Sequence, residues 1–303
     1  SKRHFLPPLS LQQVHELPSI DESKKEFYMA TAISLAEKCW ERSYNYPSEN
    51  DAVYAGTLGR LCFLRLRLAC HFIALAAAAA NTISQETYRR RGNNLLAEGL
   101  KETQKIIDKL HSSGSKMSRR CTLLEGPLVG SLALKTVFLH FLGRTSSSVL
   151  EQVNDSANEL LSIGRNIDRL LDEDECEVLY GRCGYLHAIL FIRKHLSQPN
   201  YGQDIAVSIL HQILTNGIKT SEGTDWPLLW TWHKVYLGAC HGISGILYTF
   251  LHFLEELEIL SEIRGVNVVE MVKSTIDKLN ETQVFASTGN LASSFGSKRC
   301  VRL

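Results

Sequence analysis

The sequence has almost no charge of one sign to spare. Lys and Arg number 33 and Asp and Glu 32 in 303 residues, a net charge of +1. That excludes the global basic field with which nucleic-acid binders meet a phosphate backbone, and no nucleic-acid partner is expected. Long apolar runs are missing too. The longest, residues 61–80, is interrupted by Arg65, Arg67 and His71, which leaves only residues 68–80 free of Arg and Lys. A bilayer span needs roughly 20 apolar residues, so this segment reads as a buried helix and not as a transmembrane segment. Cysteine pairing patterns are absent. Cys39, Cys62, Cys70, Cys121, Cys176, Cys183, Cys240 and Cys300 form no CxxC pair and no dense framework, which points to free thiols in a reducing cytosol. Strand signals are scarce, because the alternating runs are short and lack hairpin turns. No signal-peptide pattern follows Ser1, and the chain begins without Met, which leaves its true start open.

What is present is an ordinary globular composition. Hydrophobic residues make up 44% and charged residues 21%, and the mean hydropathy of −0.08 fits a soluble protein. The length suits one large domain or two small ones. Helical periodicity dominates. Residues 26–43 place Phe27, Ala30, Ile33, Ala36, Cys39 and Trp40 on one face, and residues 44–50, with Pro47, Ser48 and Asn50, read as the loop that ends it. Further helices are predicted over residues 92–110, ending at Ser113-Gly114-Ser115, and over 128–142, stopping at Gly143. Others are predicted over 149–171, over 186–196 before Pro199, over 206–214 near Gly217, and over 243–260 and 268–279. The fold class is all-α.

A glycine turn recurs, each time opening an apolar helix. The four read Tyr54-Ala55-Gly56-Thr57-Leu58-Gly59, Glu125-Gly126-Pro127-Leu128-Val129-Gly130, Tyr180-Gly181-Arg182-Cys183-Gly184-Tyr185 and Leu237-Gly238-Ala239-Cys240-His241-Gly242. With Gly126, Gly181 and Gly238 as lead residues the period is near constant, with room for two helices and two loops per unit, and the first unit is longer. Such a period means stacked helical hairpins. Glycine lets the backbone turn at a crowded helix start, and it exposes first-turn N–H groups that attract anions and thiolates. Tight packing between helices alone would also call for it.

The third and fourth turns carry a resemblance. Tyr180-Gly181-Arg182-Cys183-Gly184-Tyr185 resembles the YGRxGY segment of LanC-like (lanthionine synthetase C-like) proteins. Trp226-Pro227-Leu228-Leu229, followed by Tyr236-Leu237-Gly238-Ala239-Cys240-His241-Gly242-Ile243-Ser244-Gly245-Ile246, resembles their PLM…YxGAAHGLAGI segment. Phe285-Ala286-Ser287-Thr288-Gly289-Asn290-Leu291-Ala292-Ser293-Ser294 is similar to their FPSGNYPSS stretch. Residues 124–142 match more loosely, residues 1–120 faintly, residues 1–50 poorly, and residues 60–91 show no likeness.

The resemblance implies an α/α toroid, seven helical hairpins in a ring with glycine turns facing the centre. It implies addition of a thiol, cysteine or glutathione, to dehydroamino acids, with zinc holding the thiolate. It also implies that the zinc ligands lie in later WCHGAPG and CHG segments. Residues 1–303 are then expected to form one incomplete, C-terminally truncated domain of about four of the seven hairpins. No zinc is expected in this chain, and its zinc-dependent addition should be impaired.

By the resemblance His241 is the acid/base group, and an imidazole suits that role because it titrates near neutrality. Packing at a helix start is the plainer reading. Arg182 is a candidate substrate-binding residue for an anion, or else the partner of a neighbouring carboxylate. Cys240-His241 imitates a CHG pair by type, and a makeshift site with Cys183 is conceivable, although Cys183 also suits a packed turn. Tyr180, Tyr185, Trp230 and Trp232 read as core. Residues 172–175 read as a solvated acidic loop. Arg89-Arg90-Arg91 could touch a membrane surface or an acidic partner, but three charges are too few to carry that alone.

Three functions compete: a LanC-like thiol transferase, a non-catalytic scaffold for glutathione or another protein, and a glycosidase on a similar toroid. The last needs two carboxylates flanking a cleft, and Glu125 is the one acid within the four turns. A cytoplasmic location, with association at the plasma membrane as an option, completes the expectations.

Overall fold

A computed structural model of the chain describes residues 22–46, 50–112, 120–143, 147–281 and 293–295. Ser113-Gly114-Ser115, Pro47, Ser48, Cys300 and most of the stretch 285–294 lie outside the described residues.

The helices come in hairpins because one member of each is apolar nearly all round and the next is amphipathic. After α1 (Glu22–Asn45), a π-helical segment (Leu58–Phe63) runs straight into α2 (Leu64–Ala78), which packs on α3 (Thr82–Ser112). Then α4 (Pro127–Leu142) packs on α5 (Ser147–Arg165), which is followed by the short α6 (Ile167–Leu170). The third pair is α7 (Arg182–Leu196) on α8 (Gln203–Ser221). Last come α9 (Ile243–Leu251), α10 (Leu254–Leu260) and α11 (Val268–Glu281). The helices that follow glycine turns also stack on one another, α4 on α7 and α7 on α9, so their side chains form one continuous core. The fold is all-α and built of stacked helical hairpins, as the periodicity predicts.

Helix bounds depart from expectation where glycine reads as punctuation. Gly92 lies inside α3 and lets Ile73 of α2 approach, where a Cβ would come within 3.1 Å of the Ile73 side chain. Gly217 lies inside α8 and makes room for the Trp230 ring. Both serve close packing and neither ends its helix. The expected helix 149–171 breaks at Asn166, whose side-chain amide turns back to donate to the Ser162 carbonyl at 2.9 Å. The expected helix 243–260 breaks at Phe253, which leaves the helical conformation so that its ring is wholly buried. A two-residue hairpin, β1 (Glu262–Ile263) with β2 (Val266–Asn267), was missed. Its turn residues Arg264 and Gly265 both have positive φ, the signature of the tight hairpin turns that match strand twist. On α1 the inward face is Ile33, Ala36, Cys39 and Trp40, while Phe27 is exposed.

By length and composition alone Leu58–Ala78 could cross a membrane. In the structure Leu58, Leu61, Leu66, Ala69 and Phe72 are buried against α3 and α4. Arg65 is buried with them, donating to Glu98 at 3.2 Å, to the Leu61 carbonyl at 2.6 Å and to the Tyr44 hydroxyl at 3.2 Å, with its guanidinium over the Trp40 ring.

The glycine turns share one geometry. A Cβ on Gly126 would lie 2.5 Å from the carbonyl oxygens of Arg120 and Thr122. On Gly181 it would lie 2.5 Å from Glu175 O and Glu177 N, and on Gly242 2.5 Å from Tyr236 O. Gly56 is crowded in the same way by Asn50 and Ala52. The equivalent residues are therefore Gly56, Gly126, Gly181 and Gly242, and Gly242 replaces the expected Gly238 as the fourth. The three that cap helices have φ of −90°, −102° and −128°, so close backbone approach demands glycine here and a left-handed conformation does not. Each turn also clasps the next. Tyr54 N–H donates to Leu124 O at 2.9 Å, Leu123 N–H to Gly184 O at 3.0 Å, and Leu179 N–H to Cys240 O at 3.2 Å.

One core histidine gives the fold an acid sensitivity. His187 on α7 meets the Thr249 hydroxyl at 3.1 Å, and burial, with the charge of His252 in support, lowers its pKa to about 4. The unfolded chain takes up this proton near pH 6.5 and the native state does not, so this contribution to stability is lost as pH falls from 6.5 towards 4. At pH 5 the loss relative to pH 7 is about 2 kcal/mol. Urea unfolding of the native chain and of His187→Gln at both pH values measures it, and the variant should lack this component.

Candidate site at the third and fourth glycine turns

Glu177 precedes Gly181 by four residues. Its carboxylate folds back into its own turn, where Oε2 accepts the Leu179 N–H and Oε1 the Tyr180 N–H, both at 2.6 Å. The side chain is 4% exposed, and its Oε2 lies 3.2 Å from Nδ1 of His241 in the neighbouring turn. The separation is that of an ion pair, while the angle is poor for a hydrogen bond. Burial pushes the Glu177 carboxyl above the usual carboxylate range, and the two backbone N–H groups and His241 pull the other way. Nδ1 is sealed from solvent, while the imidazole as a whole is 31% exposed, so its open part is the side away from Glu177.

Three aromatic rings frame the imidazole. Tyr180 stacks on it at 5.5 Å and Trp232 at 5.1 Å, while Tyr236 stands tilted at 5.9 Å. Trp232 reaches this position from a tight loop in which its N–H donates to Lys234 O at 3.2 Å and His233 takes φ of 60°. A non-glycine residue in that region costs about 1–2 kcal/mol, which the surrounding contacts offset. Tyr185 and Trp230 are core residues as expected, with Tyr185 wholly buried and donating to Leu160 O at 2.8 Å. Tyr180 and Trp232, also expected in the core, are half-buried around His241 instead.

Arg182 is placed elsewhere. It is buried at the start of α7, where Nε donates to Gln212 at 2.9 Å, Nη1 to Asp172 O at 2.6 Å, and Nη2 to Asp168 at 3.3 Å. It lines a cavity of about 330 Å³ with Asp168, Glu173, His211, Gln212 and Thr215. Of the two partners the sequence offers it, the structure supplies the neighbouring carboxylate, and it does not bring Arg182 to His241.

Cys240 is exposed, and Cys183 is wholly buried with its thiol raised well above the ordinary value by burial. The two do not share an environment. Among the described residues no three His, Cys, Asp or Glu side chains gather as metal ligands. His241 turns Nδ1 to Glu177 and its neighbour Cys240 lies open to solvent, so these residues do not fit the zinc that the resemblance implies. All seven described cysteines are free thiols.

Glu177 is the candidate site residue that the sequence motifs do not reveal. It stands three residues outside the motif as read from Tyr180. Its signal is positional: it sits four residues before the capping glycine, where the turn folds back on itself.

Residues 73–299 match the family model described as lanthionine synthetase C-like protein. The match reaches into residues 60–91, whose motifs show no likeness by eye. The chain is 31% identical over 153 residues to the Danio rerio protein named Glutathione S-transferase LANCL1, covering 48% of this chain and 36% of that one. It is 34% identical over 91 residues to LanC-like protein GCL1 of Arabidopsis thaliana, covering 29% of this chain and 21% of that one. The aligned part of this chain thus spans well under half the length of either relative. With a matching family model over most of its length, helical hairpins throughout and a histidine framed by two of its glycine turns, the chain belongs to the lanthionine synthetase C-like family.

Proposed function

We propose that this chain carries the proton-handling part of a LanC-like thiol-addition site and binds a thiol of the glutathione class beside His241. The observation that supports it is the pairing of His241 with the buried Glu177 at 3.2 Å inside an aromatic frame. A carboxylate behind one ring nitrogen fixes the imidazole's orientation, which leaves the other nitrogen to trade a proton with a ligand. In the addition, the thiolate sulfur bonds to the β-carbon of a dehydroamino acid. The alkene π pair moves to the α-carbon, and His241 delivers a proton there that it took from the thiol. The name of the Danio rerio relative supports glutathione as the thiol. No step is assigned to zinc, because the described donors do not fit it. The seven free thiols among the described residues suit a reducing compartment, and we place the protein in the cytoplasm.

On this reading the chain binds reduced glutathione and by itself leaves a dehydroalanine peptide unconverted. NMR titration with millimolar glutathione should shift the His241 imidazole and Trp232 indole signals saturably, and His241→Gln should weaken the binding. Unmoved signals would sink the reading. Rapid conversion of the peptide, or stoichiometric zinc by elemental analysis, would show that this chain holds more of the site than proposed.

A further inference from the structure

Resting on the thiol-binding reading above, we infer that the site selects an anionic thiol and that Lys234 reads a ligand carboxylate there, with Arg120 as its counterpart across the aromatic frame. The charges around His241 are distributed unevenly. The carboxylates that pair with His241 and with Arg120 are both buried and committed. Glu177 takes two backbone N–H groups and faces Nδ1, and Glu125, 6% exposed, holds Nη1 of Arg120 at 3.3 Å. The cations stand outside. The exposed Lys234 places its ammonium 4.7 Å from the centre of the Tyr236 ring, and the half-exposed Arg120 guanidinium lies 5.2 Å over Tyr180. Tyr236 and Tyr180 are themselves two of the rings that frame His241. Each cation is therefore one ring away from the imidazole, on a different ring.

The backbone fixes Lys234 while its side chain keeps its reach. Trp232 N–H closes onto Lys234 O at 3.2 Å, and Phe295 N–H donates to Val235 O at 3.1 Å. The left-handed His233 beside it keeps this loop in a conformation it would not adopt unaided. Among the described residues no carboxylate pairs with Lys234. A thiol peptide whose sulfur lies at the open edge of His241 brings its own carboxylates within range of this ammonium. The attraction acts in partly solvated space and must weaken with salt.

Calorimetric titration of the full chain with reduced glutathione and with its diethyl ester tests the inference, since the ester keeps the thiol and removes both carboxylates. At low ionic strength glutathione should bind about tenfold more tightly than the ester. The gap should close in 0.5 M salt and in Lys234→Gln, and Lys234→Arg should restore it. Equal affinity for the two ligands in the native chain would overturn the inference and leave the thiol-binding reading standing. So would a Lys234→Gln variant that weakens both ligands alike, because that is the behaviour of a structural residue. Binding of neither ligand overturns both.

Discussion

Gly181→Ala is expected to lower stability by about 4 kcal/mol or to prevent folding altogether. The added Cβ would sit 2.5 Å from Glu175 O and Glu177 N, which are backbone atoms, so no side chain can swing aside to receive it. The backbone of that turn also carries the clasps to its neighbours, and relief in one place would break hydrogen bonds in another. Gly223→Ala is the matched control. Gly223 has φ of +78° and nothing within 4 Å of an added Cβ, so its substitution should cost only about 1 kcal/mol of backbone strain. Urea midpoints of the two variants separate close approach from left-handed geometry. Equal losses would mean that the turn at Gly181 is looser than described.

The second large effect concerns a buried ion pair between hairpins. Arg193 on α7 places Nη2 2.7 Å from Glu256 on α10, and their side chains are 11% and 4% exposed. Nε of Arg193 also donates to Tyr201 O at 2.9 Å, and the guanidinium lies 5.1 Å from the Phe253 ring centre. The break in the helix at Phe253 is what brings ring and carboxylate to the arginine together. Glu256→Ala strands a buried cation and should cost about 3–5 kcal/mol. Replacing both partners by apolar residues, Arg193→Met with Glu256→Leu, should return stability to within about 1 kcal/mol of the native chain. The double-mutant cycle measures the coupling, and a double variant as unstable as Glu256→Ala would contradict this account.

The parts of this fold that the sequence made legible are those governed by periodicity. α4 reads as an apolar helix and forms where expected, while α5 reads as an amphipathic one and forms but ends at Arg165. Glycine was ambiguous, because the same residue marks a helix end, a tight turn or a close contact. Gly92 and Gly217 turned out to serve contacts made by residues distant in sequence, Ile73 and Trp230, and no local pattern encodes those. At the site His241 was found through its motif. Glu177 was overlooked because its role depends on a turn folding back over four residues. Trp232 and Tyr180 read as core because an aromatic residue beside apolar neighbours usually is core. Their placement around His241 follows from the loop at His233, whose left-handed backbone has no hydrophobic signature.

The equivalence of the four turn glycines lets the seams between hairpins be compared with one another. At each seam the residue four before one glycine corresponds to the residue just before the next. Those pairs are Ala52 with Glu125, Thr122 with Tyr180, and Glu177 with His241. The same joint has thus been made three times from different materials, twice without an acid–base couple and once with one. The carboxylate–imidazole pair belongs to a junction and to no single repeat, so a hairpin cut from the stack would carry half of it. A hairpin bearing a glutamate and a histidine at these two positions would in turn set up a second such pair against its own copy.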